Sequence, residues 1–158
     1  MKLSNIFCSG ALVPALASAE RDAVIRELVT ALDKAGKLGK GHREDIIKAV
    51  IKRENEASTG MGKGIAVPHV KHPAVKKVVA ALGLCSRGIH FASLDKQDVH
   101  SVILLVSPAD DPDQHLRAME AIFRHLQAEK FRKFLRQCQS SEQIADLLRE
   151  ADDGPSWL

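Results

Sequence analysis

The hydrophobic positions of this chain change their period twice. Between about residues 19 and 35, Val24, Leu28 and Leu32 recur at every fourth place, the spacing of one helix face. Ser18 stands where a cap belongs, and Gly36 and Gly39 close the segment. Ile46, Ile47, Val50 and Ile51 predict a second helix from about Arg43 to Asn55. Ahead of both, Ala11–Leu16 reads as a short strand or an extended segment. The helical period then stops. Gly64–Val70 reads as a short strand, and Val78–Ser86 as a longer one. Its apolar residues do not alternate, as expected of a strand covered on both faces. Arg87-Gly88 predicts a turn, and Phe91–Asp95 leads toward a further strand over His100–Ser107. That strand contains the unbroken apolar run Val102–Val106 and is the best candidate for the centre of a sheet.

Helical spacing returns after Asp110-Asp111-Pro112-Asp113. Asp111 is expected as cap and Pro112 at the first helical position, with acids facing the positive end of the helix dipole. Leu116, Met119, Phe123 and Leu126 then form a stripe that reads as core. Two more helices are expected near Glu129–Gln137 and Ser141–Arg149, the latter opened by Ser140 or Ser141. The tail Asp152–Leu158, with Gly154-Pro155, is expected to be loose. Two helices, clustered strands and three helices predict an α/β fold. Its form is a three-layer α/β/α sandwich, a mixed sheet of four to five strands with helices on both faces. A single domain over residues 1–151 is expected, since 158 residues bury a sizeable core without disulfide or metal staples.

Composition narrows the function classes. A hydrophobic fraction of 45% and a charged fraction of 27% are ordinary for a soluble globular protein. The net charge of +3 comes from lysines and arginines interspersed with acids, and no aromatic ladder accompanies them, which argues against a nucleic-acid platform. Cys8, Cys85 and Cys138 lie far apart with no CxxC pair, so neither a disulfide framework nor a zinc ribbon is expected. Cys85 adjoins an apolar run and reads as a small core residue. Pro14 and Glu20 interrupt the N-terminal apolar residues, and no run approaches the roughly 18 apolar residues of a membrane span. The expectation is a cytoplasmic, reduced protein without direct membrane insertion.

The chemistry concentrates between Arg53 and His69. Arg53 offers a planar fork of donors, Ser58 and Thr59 offer hydroxyls, and Gly60, Gly62 and Gly64 allow close backbone approach. Pro68 stiffens the chain before the imidazole. Imidazole, with a reference pKa near 6.5, is largely neutral at cytoplasmic pH and so can act as a nucleophile. Phosphoryl transfer asks a protein mainly for positioning and charge stabilisation. The combination suits a site where His69 takes and gives up a phosphoryl group. The glycines lack the order of a P-loop or of a dinucleotide fingerprint. His69 and His72 form an H-x-x-H pair, but Pro73 follows and no cysteine or acid is suitably near for zinc. The remaining rival is a glycine turn beside a satisfied histidine.

This segment resembles the phosphorylation-site signature of the enzyme IIA domains of the bacterial phosphoenolpyruvate-dependent phosphotransferase system, of the fructose/mannitol/nitrogen-regulatory type. That signature runs Arg-Glu, Ser/Thr-Thr-Gly, alternating glycines and an apolar-Pro-His ending. The likeness extends over about residues 10–150 and includes Gly88-Ile89-His90-Phe91 before Asp95, Val102–Pro108 and His115-Leu116-Arg117. It implies that His69 receives a phosphoryl group from an HPr-type phosphocarrier and passes it to an enzyme IIB. It implies too that Arg53 contacts that group and that His115 lies beside His69 across the pocket. No metal or organic cofactor is implied. His42, His72, His90, His100 and His125 match no signature position, and of these only His100 is a further candidate for the vicinity. After Asp95 many relatives have Gly-x-Pro, where this chain has Lys96-Gln97-Asp98.

Three functions fit the resemblance. A phosphocarrier in sugar uptake would deliver the group to a IIB cysteine. A regulator of the nitrogen-related branch would bind transporters or kinases according to the state of His69, without sugar phosphorylation; no IIB or membrane IIC segment within this sequence leans that way. A non-phosphorylated interaction module of the same fold is disfavoured by the intact His69 and Arg53.

Overall fold

The apolar run Val102–Val106 lies at the centre of a six-stranded mixed sheet in the computed structural model, which describes residues Met1–Leu158. Strand β6 (Val99–Pro108) pairs antiparallel with β5 (Val79–Ile89), and β5 pairs parallel with β1 (Phe7–Val13). Along its other edge β6 pairs parallel with β3 (Ile65–Ala66) and then with β4 (His69–His72). Strand β2 (Gly60–Gly62) pairs antiparallel with β3 at the sheet's margin.

The expected count of four to five strands is therefore too low. The segment read as one strand, Gly64–Val70, divides into pieces because Lys63-Gly64 makes a hairpin tip and Pro68 cannot donate to the ladder. The Pro68 carbonyl still accepts from Leu105 N at 2.9 Å, so β3 and β4 continue along one edge of β6. Two other boundaries differ. The first strand begins at Phe7 and stops at Val13, before Pro14. Strand β5 continues through Arg87-Gly88, where the expected turn is a bulge: the register shifts between Leu84 and Ile89, and Gly88 has φ +89°.

Alternation along β6 builds two cores. Val102, Leu104 and Val106 join Val24, Leu28 and Ile47 under helices α2 (Arg21–Lys34) and α3 (Arg43–Glu56). Ile103 and Leu105 face the opposite layer. That layer contains α1 (Leu3–Ile6), α4 (Pro112–Leu126), α5 (Glu129–Gln137) and α6 (Ser141–Asp152). Both sheet faces are thus covered, as the non-alternating strands require.

Local chemistry explains the remaining ends. Helix α2 is capped by Glu20, which accepts from Asp22 N and Ala23 N; the expected cap Ser18 instead accepts from Glu20 N at 3.0 Å. The short α1 is held by Asp152, whose carboxylate accepts from Leu3 N at 2.6 Å and Ser4 N at 3.0 Å. Asp152 thus belongs to α6. Trp157 donates to His125 Nδ1 at 3.1 Å and lies 5.5 Å, centroid to centroid, from Phe131, so an indole anchors the tail. No helix is long and apolar enough to cross a membrane.

Candidate functional site

Pro68 delivers the chain into β4 with His69 as its first residue, paired with Leu105 of the central strand. The imidazole is half-buried, and its Nδ1 lies 2.8 Å from the Val67 carbonyl. A carbonyl can only accept, so Nδ1 carries the proton of the neutral ring. The lone pair of the neutral His69 ring is therefore on Nε2, which is the nitrogen left free to act as a nucleophile.

His115 stands in the first turns of α4, behind Pro112 and the cap Asp111, whose side chain accepts from Gln114 N at 3.2 Å. Its ring centroid is 5.6 Å from that of His69, with the planes tilted by 41°. The fully buried Ser107, near the end of β6, places its Oγ 2.6 Å from His115 Nδ1. Burial pushes the His115 pKa below its ordinary value, and the neighbouring His69 and Lys71 push it further the same way. His115 is accordingly a neutral ring near neutral pH, able to donate or accept without adding a fixed charge beside His69.

Arg53 occupies the last turn of α3, and that helix packs against β4. Its Nη1 donates to the Ala57 carbonyl at 2.8 Å, which fixes the stem of the guanidinium while the fork has further N–H groups to offer. Ser58 and Thr59 sit differently from simple phosphate donors. The Ser58 hydroxyl donates to the Phe91 carbonyl and accepts from Gly60 N at 3.0 Å. The Thr59 hydroxyl donates to Glu54 Oε1 at 2.7 Å. Both hydroxyl hydrogens thus go to protein acceptors, and both residues brace the arm that leads into β2.

The glycines build that arm. Lys63 and Gly64 have φ +59° and +79°, the pair of positive values that a tight hairpin tip of the I′ type needs. Lys63, which has a Cβ, is held there by its own N–H, which donates to Asp95 Oδ2 at 2.9 Å. This bond, with one from Gln97 N, holds the exposed Asp95 carboxyl below its ordinary range. A Cβ on Gly60 would overlap Ser93 Oγ, so only glycine lets the two segments close. Gly62, with φ +91°, completes the bend.

Two residues that the sequence did not single out stand behind the histidines. Ser107 orients His115. Glu54, only 3% exposed, accepts from both Thr59 N (2.6 Å) and Thr59 Oγ1. Its signal was present in the sequence: Glu54 continues the Ile47, Val50 spacing of the buried face of α3, where a charge is out of place. The other histidines are used elsewhere. His72 accepts from Ala74 N at 3.0 Å through Nδ1, and burial lowers its pKa. His100 Nδ1 meets the Cys85 carbonyl at 2.9 Å, beside a buried thiol.

Comparison with known proteins bears on this geometry. The model of the family described as the phosphoenolpyruvate-dependent sugar phosphotransferase system, EIIA 2, matches residues 7–151. The chain is 34% identical over 152 residues to the fructose-specific EIIABC component of the phosphotransferase system of Bacillus subtilis. The match covers 96% of this chain and 24% of that protein, so the chain spans about a quarter of the length of this relative. It is 29% identical over 148 residues to a nitrogen regulatory protein of Bradyrhizobium diazoefficiens, covering 94% of this chain and 95% of that one. Among solved structures, the nitrogen regulatory protein IIA-Ntr of Neisseria meningitidis superposes with a TM-score of 0.83 at 21% identity, covering 92% of this chain and 98% of that one. The Escherichia coli complex of mannitol enzyme IIA with phosphorylated enzyme IIB gives a TM-score of 0.76 at 19% identity, covering 91% and 99%. These two show the fold.

Proposed function

From the premise that this chain belongs to the EIIA 2 family of the phosphoenolpyruvate-dependent sugar phosphotransferase system, we propose that His69 is its phosphoryl acceptor and that Nε2 forms the bond. The observation carrying this reading is the Nδ1 contact to the Val67 carbonyl, which leaves Nε2 as the only lone-pair nitrogen, beside a neutral His115. In the reaction, Nε2 attacks the phosphorus of a phosphorylated HPr-type carrier. The new N–P bond forms as the donor's bond to phosphorus breaks, and that electron pair leaves with the donor. Arg53 meets the charge on the equatorial oxygens with part of its guanidinium fork. Ser58, Thr59, Gly60, Gly62 and Gly64 hold the arm in the geometry that transfer needs. No metal or organic cofactor enters the step, since the phosphorylated donor supplies the group.

His115 acts in the second half, when the group leaves for an enzyme IIB. A neutral ring beside the phosphoimidazole can hydrogen-bond the departing oxygens without the pull of a fixed positive charge. An enzyme IIB as recipient is supported by the mannitol IIA–IIB complex of the same fold. The protein would work as a cytoplasmic carrier.

A second reading is favoured by the likeness to nitrogen regulatory proteins over 94% of the chain. There the phosphorylation state of His69 would itself be the signal, read by transporters or kinases. Both readings require the same modification. Incubation with phosphoenolpyruvate, enzyme I and HPr is expected to give an acid-labile, base-stable phosphate on the wild-type chain and none on His69→Ala. Undiminished labelling of that variant would remove His69 from the mechanism.

A further inference from the structure

Glu54 is a buried acid that phosphoryl transfer as described above does not use. At 3% exposure it lies on the core face of α3, and none of the chain's ion pairs includes it. A buried carboxylate is costly unless its oxygens are satisfied. Here both are satisfied by a single residue: Thr59 N donates to Oε2 at 2.6 Å and Thr59 Oγ1 to Oε1 at 2.7 Å. The two bonds close a ring across the end of α3, where the chain leaves the helix for the glycine arm.

Thr59 is held at a consequential point. Its carbonyl accepts from Val67 N at 3.2 Å, and the Val67 carbonyl accepts from His69 Nδ1 at 2.8 Å. Glu54, Thr59, Val67 and His69 thus form an unbroken hydrogen-bonded series from a rigid helix to the reacting ring. Displacing Thr59 releases Val67, and releasing Val67 frees the carbonyl that decides which ring nitrogen carries the proton. We infer that Glu54 is a positioning residue for phosphoryl transfer, fixing through Thr59 and Val67 the Nδ1–H tautomer that makes Nε2 of His69 the acceptor.

This rests on the phosphoacceptor reading, yet its first readout does not need phosphate. The test is Glu54→Gln. A glutamine amide has one acceptor oxygen where the carboxylate has two, so it can keep the Thr59 N–H bond only by forcing the Thr59 hydroxyl to reverse and accept, and both bonds lose the carboxylate's charge. Nitrogen NMR of the His69 ring in the full-length, unphosphorylated protein at mildly alkaline pH reports the tautomer directly. The wild type is expected to show Nδ1 protonated and Nε2 bare. The variant should move both nitrogens toward intermediate values as the tautomers mix. Transfer from phospho-HPr should then fall roughly tenfold or more in its maximal rate, with the half-saturating donor concentration little changed, as a misaligned nucleophile predicts.

Thr59→Val supplies the second variant should Glu54→Gln fail to fold. It removes only the Oγ1 bond, keeps the backbone one, and should shift the ring signals in the same direction by less. An unaltered His69 tautomer in a folded Glu54→Gln protein, or in Thr59→Val where that is the variant that folds, would overturn the inference even if transfer slowed. A shifted tautomer in the variant, beside a wild type that never takes up phosphate, would uphold the positioning role while removing the phosphoacceptor reading.

Discussion

His69 and His115 differ in what holds them, and the difference supports the distinct roles proposed for them. A backbone carbonyl takes the Nδ1 proton of His69, whereas a buried hydroxyl, which can give or take a proton, meets Nδ1 of His115. His115→Ala is therefore expected to accept phosphate at near wild-type rate but to pass it to an enzyme IIB at least tenfold more slowly. A two-step transfer assay separates these stages, and equal loss in both would make His115 a structural neighbour. Arg53→Ala should slow acceptance severely while lowering stability by only about 1 kcal/mol, since the structure gives its guanidinium a single bond, to an exposed loop carbonyl. Thermal unfolding measured alongside transfer checks this split. At this scale the sequence displayed the groups proposed to meet phosphate, because Arg53 and His69 occur in a recognisable order. Glu54 showed only as a charge on the buried face of α3 and Ser107 not at all, since the significance of both comes from contacts made only after folding.

The elements that carry these residues were legible in proportion to their length. Strand β6 and helices α3, α4, α5 and α6 are long enough to show a period, and their bounds fall close to those expected. Strands β2, β3 and β4 span two to four residues each, too few for any period, and only hydrogen bonds to β6 and to each other define them. The hairpin between β2 and β3 depends on backbone geometry more than on side chains. Gly64→Ala places a Cβ at φ +79° and should destabilise the protein by about 1–2 kcal/mol. If the arm positions His69, transfer should suffer more than that loss alone implies. Normal transfer at permissive temperature would show that the arm tolerates distortion without consequence for the ring.

Across the whole molecule, two cores meet on one sheet, and the chain ends close over the second of them. Leu104, wholly buried beneath α2 and α3, should cost about 2–5 kcal/mol when cut to alanine, as calorimetry would record. In the tail, Gly154-Pro155 signals a break, while a lone Trp157 carries no sign in the sequence of the aromatic rings it packs against. Burial also lowers the pKa of His72, His115 and His125 below their ordinary 6.5. A depressed histidine favours the unfolded state once protons bind there. Its contribution to stability is thus present above about pH 6.5 and is lost as pH falls through the lowered folded values. The melting temperature should accordingly drop between pH 7.5 and 5.5, and less steeply in His125→Phe, which removes one of the three groups.

The proposed function comes down to a single bond, between phosphorus and Nε2 of His69. Its most direct test is phosphorus and nitrogen NMR of the wild-type chain after phosphorylation by phosphoenolpyruvate, enzyme I and HPr. One phosphohistidine is expected, with coupling from phosphorus to His69 Nε2 and the proton still on Nδ1. A phosphoryl group on Nδ1 of His69, or on His115, would contradict it.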